Sequence, residues 1–563
     1  MVEPLVPNQR PRFHGNLSLV AAILLLPVLA YAGTPVPPPP TQQLNPGLIN
    51  NQGQQNLQQI EKQNALPPAS PGVKPAPQQP EAVPSEGLSF VLRGVRVDPT
   101  RFLTTAEIDG VVQQYIGKPV NIGTLRRMVG ALNAILVKKH YITVSAYLPP
   151  QQVTHGIVHV AIIEGRLGKV GISGNKALSR SYVRSYLHIR QNDVIDLPQI
   201  EDDLSRFNNT GIARLQAALL PGSNFGLTDI QLSVTEPARN LFQVFVDNQG
   251  VASVGQNEVG AMYQLYGPFG IDDRLTVYGV KSVGNLFGNV SYNVPFNSLG
   301  GRIGLSASSG SINVVSGIYQ PLAVVGHSEI VSANVSQPLV VHGNWMLLGM
   351  GSYAYNFSDS SQRATSVTSD KVKLETVGFK LGYAGHDINA SFAPTYSLAQ
   401  WHSGVSDNGM SFGLAGGSFY IRGNLPDGYA AQAMGAWQMA STALIPASEL
   451  FQVGGPTTVR GFPANAAAGP SGYFFNLELH HLLPVPDLLR NPGSTLDGFL
   501  FVDQGRSYNP FPAYQDLRSA GFGASWDISR YLAANVNVGF PLENSVYGQS
   551  SSQIYFSIVA KVF

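Results

Sequence analysis

The sequence predicts an all-β transmembrane barrel of about sixteen antiparallel strands, preceded by two small α+β domains and an N-terminal polar helix. Only 12% of the 563 residues are charged and 59 are glycine, whereas about a quarter of the residues in soluble proteins are charged. After the N-terminal region, no apolar run approaches the ~18 residues of a membrane-spanning helix. From residue 238 to residue 563, apolar and polar residues instead alternate, which favours strands with one apolar and one wet face.

The composition excludes several kinds of partner and site. The chain has 35 basic and 34 acidic residues, so it has no net field that would attract nucleic acid. It has no cysteine, which excludes disulfide scaffolds, thiolate zinc sites and cysteine nucleophiles. A chain without thiols suits an oxidising compartment, and the composition therefore indicates an envelope protein.

Residues 1–32 have the pattern of a secretory signal peptide. Two arginines precede the apolar run Leu17–Leu29, and small residues follow it up to Gly33. An N-terminal membrane anchor is the alternative. It is disfavoured because Pro27 interrupts a run that is shorter than the ~20 residues needed to span a membrane. We expect the mature chain to begin near Gly33.

Residues 33–87 are polar and rich in proline. Between two proline blocks lies a Gln/Asn-rich segment, at about residues 46–64, that has no proline after Pro46. This segment predicts a single polar helix, which needs water or a polar enclosure because its apolar stripe is thin. Disorder is the alternative for such a composition. The other residues of 33–87 are interpreted as a proline-rich linker.

Residues 88–164 and residues 165–237 are interpreted as two copies of one small fold. In the first copy, Phe90–Val97 has the composition of a strand, and apolar residues spaced by three or four between Ile122 and Leu136 share one helix face. Both copies show the order strand, helix, helix, strand, strand. In the second copy these elements are expected near residues 170–172, 182–187, 200–207, 215–220 and 228–235. Tandem duplication is the most economical interpretation.

Residues 238–563 are the expected barrel. At about 20 residues per strand with its connection, this segment provides roughly sixteen strands. A closed barrel with an even number of strands leaves no unpaired edge in lipid. One example of the alternation places Tyr473, Phe475, Leu477 and Leu479 on one face and Phe474, Asn476, Glu478 and His480 on the other. A soluble β-sandwich is the alternative, but a secreted domain of this length would carry more charge.

Several short motifs accompany this order of elements. They are Gly117-Lys118-Pro119, Tyr141-Ile142, Leu148-Pro149-Pro150-Gln151, Gly156 through Glu164-Gly165, Leu220-Pro221-Gly222, Gly226-Leu227-Thr228-Asp229, Asp247-Asn248-Gln249-Gly250 and the turn from Gly267 to Asp273. Together they resemble the two-partner secretion transporters of the ShlB/FhaC/HecB family, whose repeats are POTRA domains. His140 departs from the pattern, because the family usually has glycine there.

Two further motifs are the most specific part of the resemblance. One is similar to the family's Val-Arg-Gly-Tyr/Phe, which lies at the tip of a long loop folded into the barrel, here around residues 451–471. The other matches the Phe-x-Asp-x-Gly of the strand that this tip touches. The residues concerned are Val459, Arg460, Gly461 and Phe462 in the loop, and Phe501, Asp503 and Gly505 in the strand.

The two motifs also have a physical logic of their own. Period two places Asp503 on the same face as Phe501, so its carboxylate faces the lumen and can accept a fork of hydrogen bonds from Arg460. Gly461 and Gly505 allow the two backbones to approach closely. In a wet lumen we expect this pair to contribute ~1–2 kcal/mol. The alternative is that Arg460 is a solvated loop charge and Asp503 an ordinary lumen residue.

The resemblance implies a channel in the outer membrane, with its POTRA domains in the periplasm. Its implied client is a large, unfolded haemolysin- or adhesin-like exoprotein with an N-terminal secretion domain. Whether the client is also activated is left open. We expect a monomeric barrel in contact with outer-membrane lipid. The alternatives are an assembly factor for outer-membrane proteins from the same superfamily and a diffusion porin.

The residues give no indication of catalysis. His480 and His481 are neighbours on a strand and point to opposite faces, so they cannot converge on one metal ion. Glu478 faces the lumen, but a single carboxylate is not an acid–base pair. The sequence has no Walker loop, no Gly-x-Ser-x-Gly elbow and no His-Glu-x-x-His motif. We therefore expect no enzyme activity, no metal and no cofactor.

The C-terminal strand leaves one point open. The chain ends in Phe563, as outer-membrane barrels commonly do. The apolar set is Ile554, Phe556, Ile558, Ala560 and Val562, whereas Ser557 and Lys561 are polar. The sequence alone does not fix which set faces the lipid.

Overall fold

The computed structural model describes residues 45–64, 73, 89–139, 141, 143–224, 226–486, 491–508 and 513–562. The expected signal peptide, most of the proline-rich linker, His140 and Phe563 lie outside the described residues. Within the described ranges, no helix is both long enough and apolar enough to cross a membrane.

The N-terminal helix α1 spans Pro46–Gln63. Its first turn is capped by Asn45, whose side-chain oxygen accepts a hydrogen bond of 2.8 Å from the Gly47 amide. Proline at the first helical position costs no hydrogen bond, since that N–H has no partner within a helix. The apolar side chains buried on this otherwise polar helix are Leu48, Ile49 and Leu57.

The first repeat is a three-stranded sheet covered by two helices, with a small two-stranded sheet beside it. Strand β5 is central, parallel to β2 and antiparallel to β4. Helix α3 places five apolar side chains in the core of the repeat. The elements are β1 (Phe90–Val91), β2 (Gly94–Val97), α2 (Thr105–Val112), β3 (Pro119–Val120), α3 (Ile122–Lys138), β4 (Val144–Tyr147) and β5 (Ile157–Glu164).

The single strand expected at Phe90–Val97 is two strands, and this detail of the prediction was wrong. Strand β1 pairs with β3, whereas β2 pairs with β5. The chain changes partner between Leu92, whose amide donates to the Lys118 carbonyl, and Arg93, whose amide donates to the Gly156 carbonyl. Leu92 is fully buried at this bend, so its side chain fixes the break.

The second repeat has the same topology. Strand β8 is central, parallel to β6 and antiparallel to β7. The duplication predicted from the order of elements is therefore confirmed. The linker residue Val73 is buried in the hydrophobic core of this repeat. The elements are β6 (Arg166–Ser173), α4 (Arg180–Ser185), α5 (Leu197–Thr210), β7 (Arg214–Pro221) and β8 (Leu227–Thr235).

Sixteen strands of the described chain close into one antiparallel barrel, as the sequence predicted. They are β9 (Asn240–Asp247), β10 (Glu258–Tyr266), β11 (Arg274–Lys281), β12 (Asn285–Pro295), β13 (Arg302–Asn313), β14 (Val324–His342), β15 (Trp345–Gln362), β16 (Thr365–Ala384), β17 (Ile388–Ser403), β18 (Gly409–Asn424), β19 (Tyr429–Ala440), β22 (Ser471–Leu483), β23 (Thr495–Tyr508), β24 (Tyr514–Ser529), β25 (Leu532–Pro541) and β26 (Gln553–Val562).

The two faces of the strands differ as the alternation predicts. On β22, Leu477 and Leu479 are about two-fifths exposed on the outside, whereas Asn476 and His480 are buried on the inside. An apolar outer face matches the hydrocarbon of a membrane. The same difference between the faces shows which side chains of β26 face the lipid. The apolar set points outward, and Lys561 lies on the inward side. The outward residues of β26 are Ile554, Phe556, Ile558 and Val562.

The barrel closes where its first strand meets its last. Residues Phe242–Asp247 of β9 pair with Ser557–Val562 of β26. Beyond this ladder, the Asn248 side chain donates to the Ile554 carbonyl and accepts from the Phe556 amide, both at 2.8 Å. The amide group of Asn248 therefore imitates one more backbone pair and lengthens the seam.

Candidate functional site in the barrel lumen

The connection between β19 and β22 folds back into the barrel. It contains a short hairpin of β20 (Phe451–Val453) and β21 (Ala467–Gly469). At its tip Val459 and Phe462 are fully buried, in one hydrophobic cluster with Leu517 of β24. The Tyr555 hydroxyl of β26 donates to the Phe462 carbonyl at 2.7 Å. The tip is therefore packed against the barrel wall.

Arg460 at this tip holds the carboxylate of Asp503 on β23. Nε of Arg460 donates to Oδ2 at 2.8 Å, and Nη2 donates to Oδ1 at 2.6 Å. The Arg460 main-chain amide also donates to Oδ2, at 3.0 Å. The Phe501 ring lies on the guanidinium, with its centroid 3.7 Å from Cζ. Two parallel bonds and a stacked ring fix the direction of the side chain as well as its charge.

The expectation that this pair lies in a wet part of the lumen was wrong. Asp503 is 0% exposed and Arg460 is 5% exposed. Water is excluded because the loop tip, the Phe501 ring and the neighbouring strands surround the two charges. Breaking a buried pair leaves one charge without compensation and typically costs about 3–5 kcal/mol. The earlier value of ~1–2 kcal/mol belongs to an exposed pair.

Two residues of β22 complete the network around Arg460. The Asn476 side chain donates to Oδ1 of Asp503 at 2.7 Å and also to the Thr458 carbonyl in the loop. Glu478 accepts from Nη1 of Arg460 at 2.5 Å. A single guanidinium is therefore shared between carboxylates on two adjacent strands, β22 and β23.

His480 is the third member of this network on β22. Its Nε2 lies 3.0 Å from Glu478, and its Nδ1 lies 2.8 Å from Asp497 on β23. The sequence predicted that Glu478 faces the lumen, but it predicted no role for Asn476 or His480. The available signal was the alternation that places all three side chains on the inner face of β22.

Two glycines let the loop and the wall approach closely. A Cβ on Gly505 of β23 would lie 2.3 Å from a methyl carbon of Val453 and 3.0 Å from one of Val459. A Cβ on Gly461 would lie 2.5 Å from Cβ of Ser519 on β24. Any larger residue at either position separates the loop from the wall.

Helix α1 lies in the same lumen and meets its wall through polar side chains. Asn50 donates to the Ser328 hydroxyl of β14 at 2.6 Å, and Gln54 donates to the Ser308 hydroxyl of β13 at 3.1 Å. At the other end of the helix, the amides of Asn64 and Gln243 of β9 exchange two hydrogen bonds, of 2.8 and 3.0 Å. A helix held by such contacts plugs the barrel without a large apolar interface.

The plug also contacts the folded-in loop. Asn51 of α1 donates to the Ser448 carbonyl at 2.7 Å, and Gln452 of β20 donates to the Leu48 carbonyl of α1 at 2.9 Å. Departure of α1 therefore removes two of the supports of the loop that carries Arg460.

A buried carboxylate fixes the second repeat to the barrel. Asp272, in the turn between β10 and β11, is 0% exposed and accepts from the amides of Ile212 and Ala213 at 2.8 and 2.9 Å. Arg302 of β13 donates to it at 3.1 Å, and the Tyr266 hydroxyl does so at 2.8 Å. The sequence predicted only a turn here, because the amides of residues 212 and 213 and the side chain of Arg302 belong to two distant segments of the chain.

Fold and site together define a class of protein: a plugged transmembrane β-barrel with two soluble repeats at one end. The family model described as haemolysin secretion/activation protein ShlB/FhaC/HecB matches residues 226–527. A model described as POTRA domain, ShlB-type, matches residues 90–165. The chain therefore belongs to the ShlB/FhaC/HecB family, and the resemblance noted in the sequence is confirmed.

Known relatives agree with this assignment. The heme/hemopexin transporter protein HuxB of Haemophilus influenzae is 23% identical over 504 residues, covering 84% of this chain and 87% of that protein. The outer membrane transporter CdiB of Escherichia coli is 26% identical over 248 residues, covering 43% of this chain and 42% of that protein. The solved structure of CdiB from Escherichia coli has the same fold, with a TM-score of 0.68 at 19% identity over 92% of this chain and 98% of that one.

Family membership gives the general function and the location. The chain is an outer-membrane transporter of a two-partner secretion system, and its POTRA domains lie in the periplasm. Its partner is a secreted exoprotein. The strand ends that adjoin the second repeat, at Asn240 and Tyr266, are therefore periplasmic, and the opposite ends are extracellular.

Proposed function

We propose that this transporter moves its client as an extended chain through the barrel lumen after helix α1 has left it. The observation that carries this proposal is the polar interface of α1, which occupies the lumen through side-chain hydrogen bonds such as Asn50 to Ser328. Each such bond contributes about 0.5–1.5 kcal/mol net and is replaceable by water. A plug bound in this way can leave without unfolding the barrel.

The client we propose is a large haemolysin- or adhesin-like exoprotein that presents an N-terminal secretion domain. The family description, haemolysin secretion/activation protein, supports this class. Two relatives carry the names heme/hemopexin transporter and outer membrane transporter. We further propose that the barrel acts as a monomer surrounded by outer-membrane lipid, since apolar side chains are exposed on its outer face. Its role is transport, and we propose no catalytic step.

We propose that the contact between Arg460 and Asp503 keeps the loop docked on the wall while the client passes. The buried bidentate geometry supports this role, because a docked loop leaves the rest of the lumen for the client once α1 has gone. A diffusion porin is disfavoured, because α1 and the folded-in loop fill the lumen through which solutes would diffuse. An assembly factor for outer-membrane proteins is the second alternative, and the levels of other outer-membrane proteins in a strain that lacks this gene distinguish it.

A reversible disulfide between plug and wall tests this proposal. A Cβ on Gly310 of β13 would lie 3.8 Å from Cβ of Asn50, which is the usual separation in a disulfide. The chain has no native cysteine, so Asn50→Cys/Gly310→Cys gives one defined bond. We expect the oxidised variant to be inserted but inactive in export, and reductant to restore export. The two single-cysteine variants are the matched controls. Normal export by the oxidised pair would contradict passage through the lumen.

A further inference from the structure

A cleft of about 610 Å³ opens at the periplasmic mouth of the barrel, between α1, the second repeat and the strand ends. Its described lining contains five cationic side chains and a single carboxylate, Glu61. The cations lie on α1, β7, β11, β26 and the turn between β24 and β25, so they converge only in the fold. They are Lys62, Arg214, Arg274, Arg530 and Lys561.

The positive charge of this cleft is local. The whole chain is almost neutral, at +1. Two acidic residues near the cleft do not line it, and the carboxylate of each already has hydrogen-bonding partners. Asp272 is buried against Arg302, and Glu236 accepts from the main-chain amides of residues 176, 177 and 178. A cleft with low-dielectric walls and one sign of charge raises the local concentration of the opposite charge.

Glu61 shows what the cleft accommodates. Its Oε1 accepts from Nη2 of Arg274 at 3.4 Å, from the Thr276 hydroxyl at 3.2 Å and from the Gln264 amide at 3.4 Å. These bonds are long for hydrogen bonds to a carboxylate, which are usually about 2.7–2.9 Å. The plug thus places one of its own carboxylates against the cationic wall, in a loose contact that a better-placed carboxylate can replace.

We propose that this cleft binds an acidic segment of the client at the start of export, and that this segment competes with Glu61 for Arg274 and so loosens α1. The inference rests on the proposed function, since it takes the client to enter the lumen at this mouth. A polypeptide is favoured over an anionic lipid because Gln58 and Asn64 of the plug, inside the barrel, form part of the lining. Lipid headgroups lie outside the barrel.

The test uses the full-length transporter in neutral detergent and a fluorescent hexaglutamate peptide. We expect Arg274→Gln/Lys561→Gln to weaken peptide binding at least about tenfold. Glu61→Gln removes the internal competitor, so we expect several-fold tighter binding. The matched control is Arg363→Gln/Lys371→Gln, which removes two cations remote from the cleft and should bind as the unaltered protein does. All variants should keep their heat-modifiable mobility, which reports a folded barrel.

Any one of the following results would overturn the inference. These are equal hexaglutamate binding by the unaltered protein and the cleft variant, equally tight binding of hexalysine, and unchanged binding by Glu61→Gln. Loss of binding to phosphatidylglycerol nanodiscs in the cleft variant, with hexaglutamate binding intact, would also overturn it and assign the cleft to lipid. Export separates this inference from the proposed function. If the disulfide between α1 and the wall blocks export, but Arg274→Gln/Lys561→Gln binds hexaglutamate and exports normally, only the acidic-segment inference fails. If the transporter with the disulfide exports normally, the proposed function itself fails.

Discussion

Arg460 holds Asp503 with three donors, its main-chain amide, Nε and Nη2, at 3.0, 2.8 and 2.6 Å. The residues lie 43 positions apart, and both are buried. This contact joins the tip of the folded-in loop to strand β23. Because the main-chain amide takes part, the contact fixes the loop backbone as well as its side chain.

The first prediction concerns the loop contact itself. Arg460→Lys keeps the charge but loses the planar fork, so we expect export to fall markedly while barrel abundance stays normal. Asp503→Ala should resemble Arg460→Ala, and the double variant should be no worse than either single one, because the two residues act as one unit. The measurement is the amount of client in the medium, relative to heat-modifiable barrel in the outer membrane. Additive defects, or full export by Arg460→Ala, would refute the ion-pair mechanism.

The second prediction separates the two carboxylates that share Arg460. Glu478→Gln removes the charge of the carboxylate that accepts from Nη1 but leaves the main-chain amide bond and both forked bonds to Asp503. We therefore expect a smaller export defect than in Asp503→Asn, because one charged hydrogen bond contributes ~1.5–3 kcal/mol, whereas Asp503 accepts three hydrogen bonds from Arg460. Both variants replace a carboxylate by its amide, so each controls for the shape of the other. A larger defect in Glu478→Gln would place the main anchor on β22.

The third prediction concerns the plug. A Cβ on Gly53 of α1 would lie 2.8 Å from the Phe287 ring of β12, so Gly53→Val should push the helix off the wall. Overpacking of this kind costs about 1–3 kcal/mol, enough to raise the open fraction about tenfold. Single-channel conductance in planar bilayers measures it. Gln59→Val, at an exposed position of the same helix, is the control. Deleting residues 46–64 should open the pore fully, and unchanged conductance after deletion would exclude a plug.

The fourth prediction concerns the first repeat. The Lys139 ammonium, together with the Thr104 backbone and hydroxyl, lowers the pKa of Glu107 to about 2. A lowered pKa means that the stabilisation is present above the ordinary value near 4.5 and is lost as the pH falls through about 2. Glu107→Gln should therefore lower the unfolding temperature of residues 88–236 at pH 7, and the difference should vanish near pH 2. Circular dichroism measures it, with Asp109→Asn as the control. A difference that persists at pH 2 would contradict this assignment.

The sequence predicted the parts of the fold that depend on local periodicity. A strand in lipid has one apolar side, so alternation on β22 correctly separated Leu477 from Asn476. Contacts between distant segments were not predictable in the same way. The carboxylate of Asp272 joins residues 212, 213 and 302 to a turn. No spacing of residues in the sequence indicates that these segments lie close together. The burial of Asp503 was not predicted for the same reason, because the chain segments that exclude water from it come together only in the fold.

The most direct test of the account is mass spectrometry of the culture medium from a strain with and without this gene. We predict that one very large exoprotein disappears from the medium when the gene is deleted. It should return when the unaltered gene is restored but not when the Asp503→Ala gene is restored, while other outer-membrane proteins stay at normal levels. An unchanged medium together with a general loss of outer-membrane proteins would contradict the account and support an assembly factor instead.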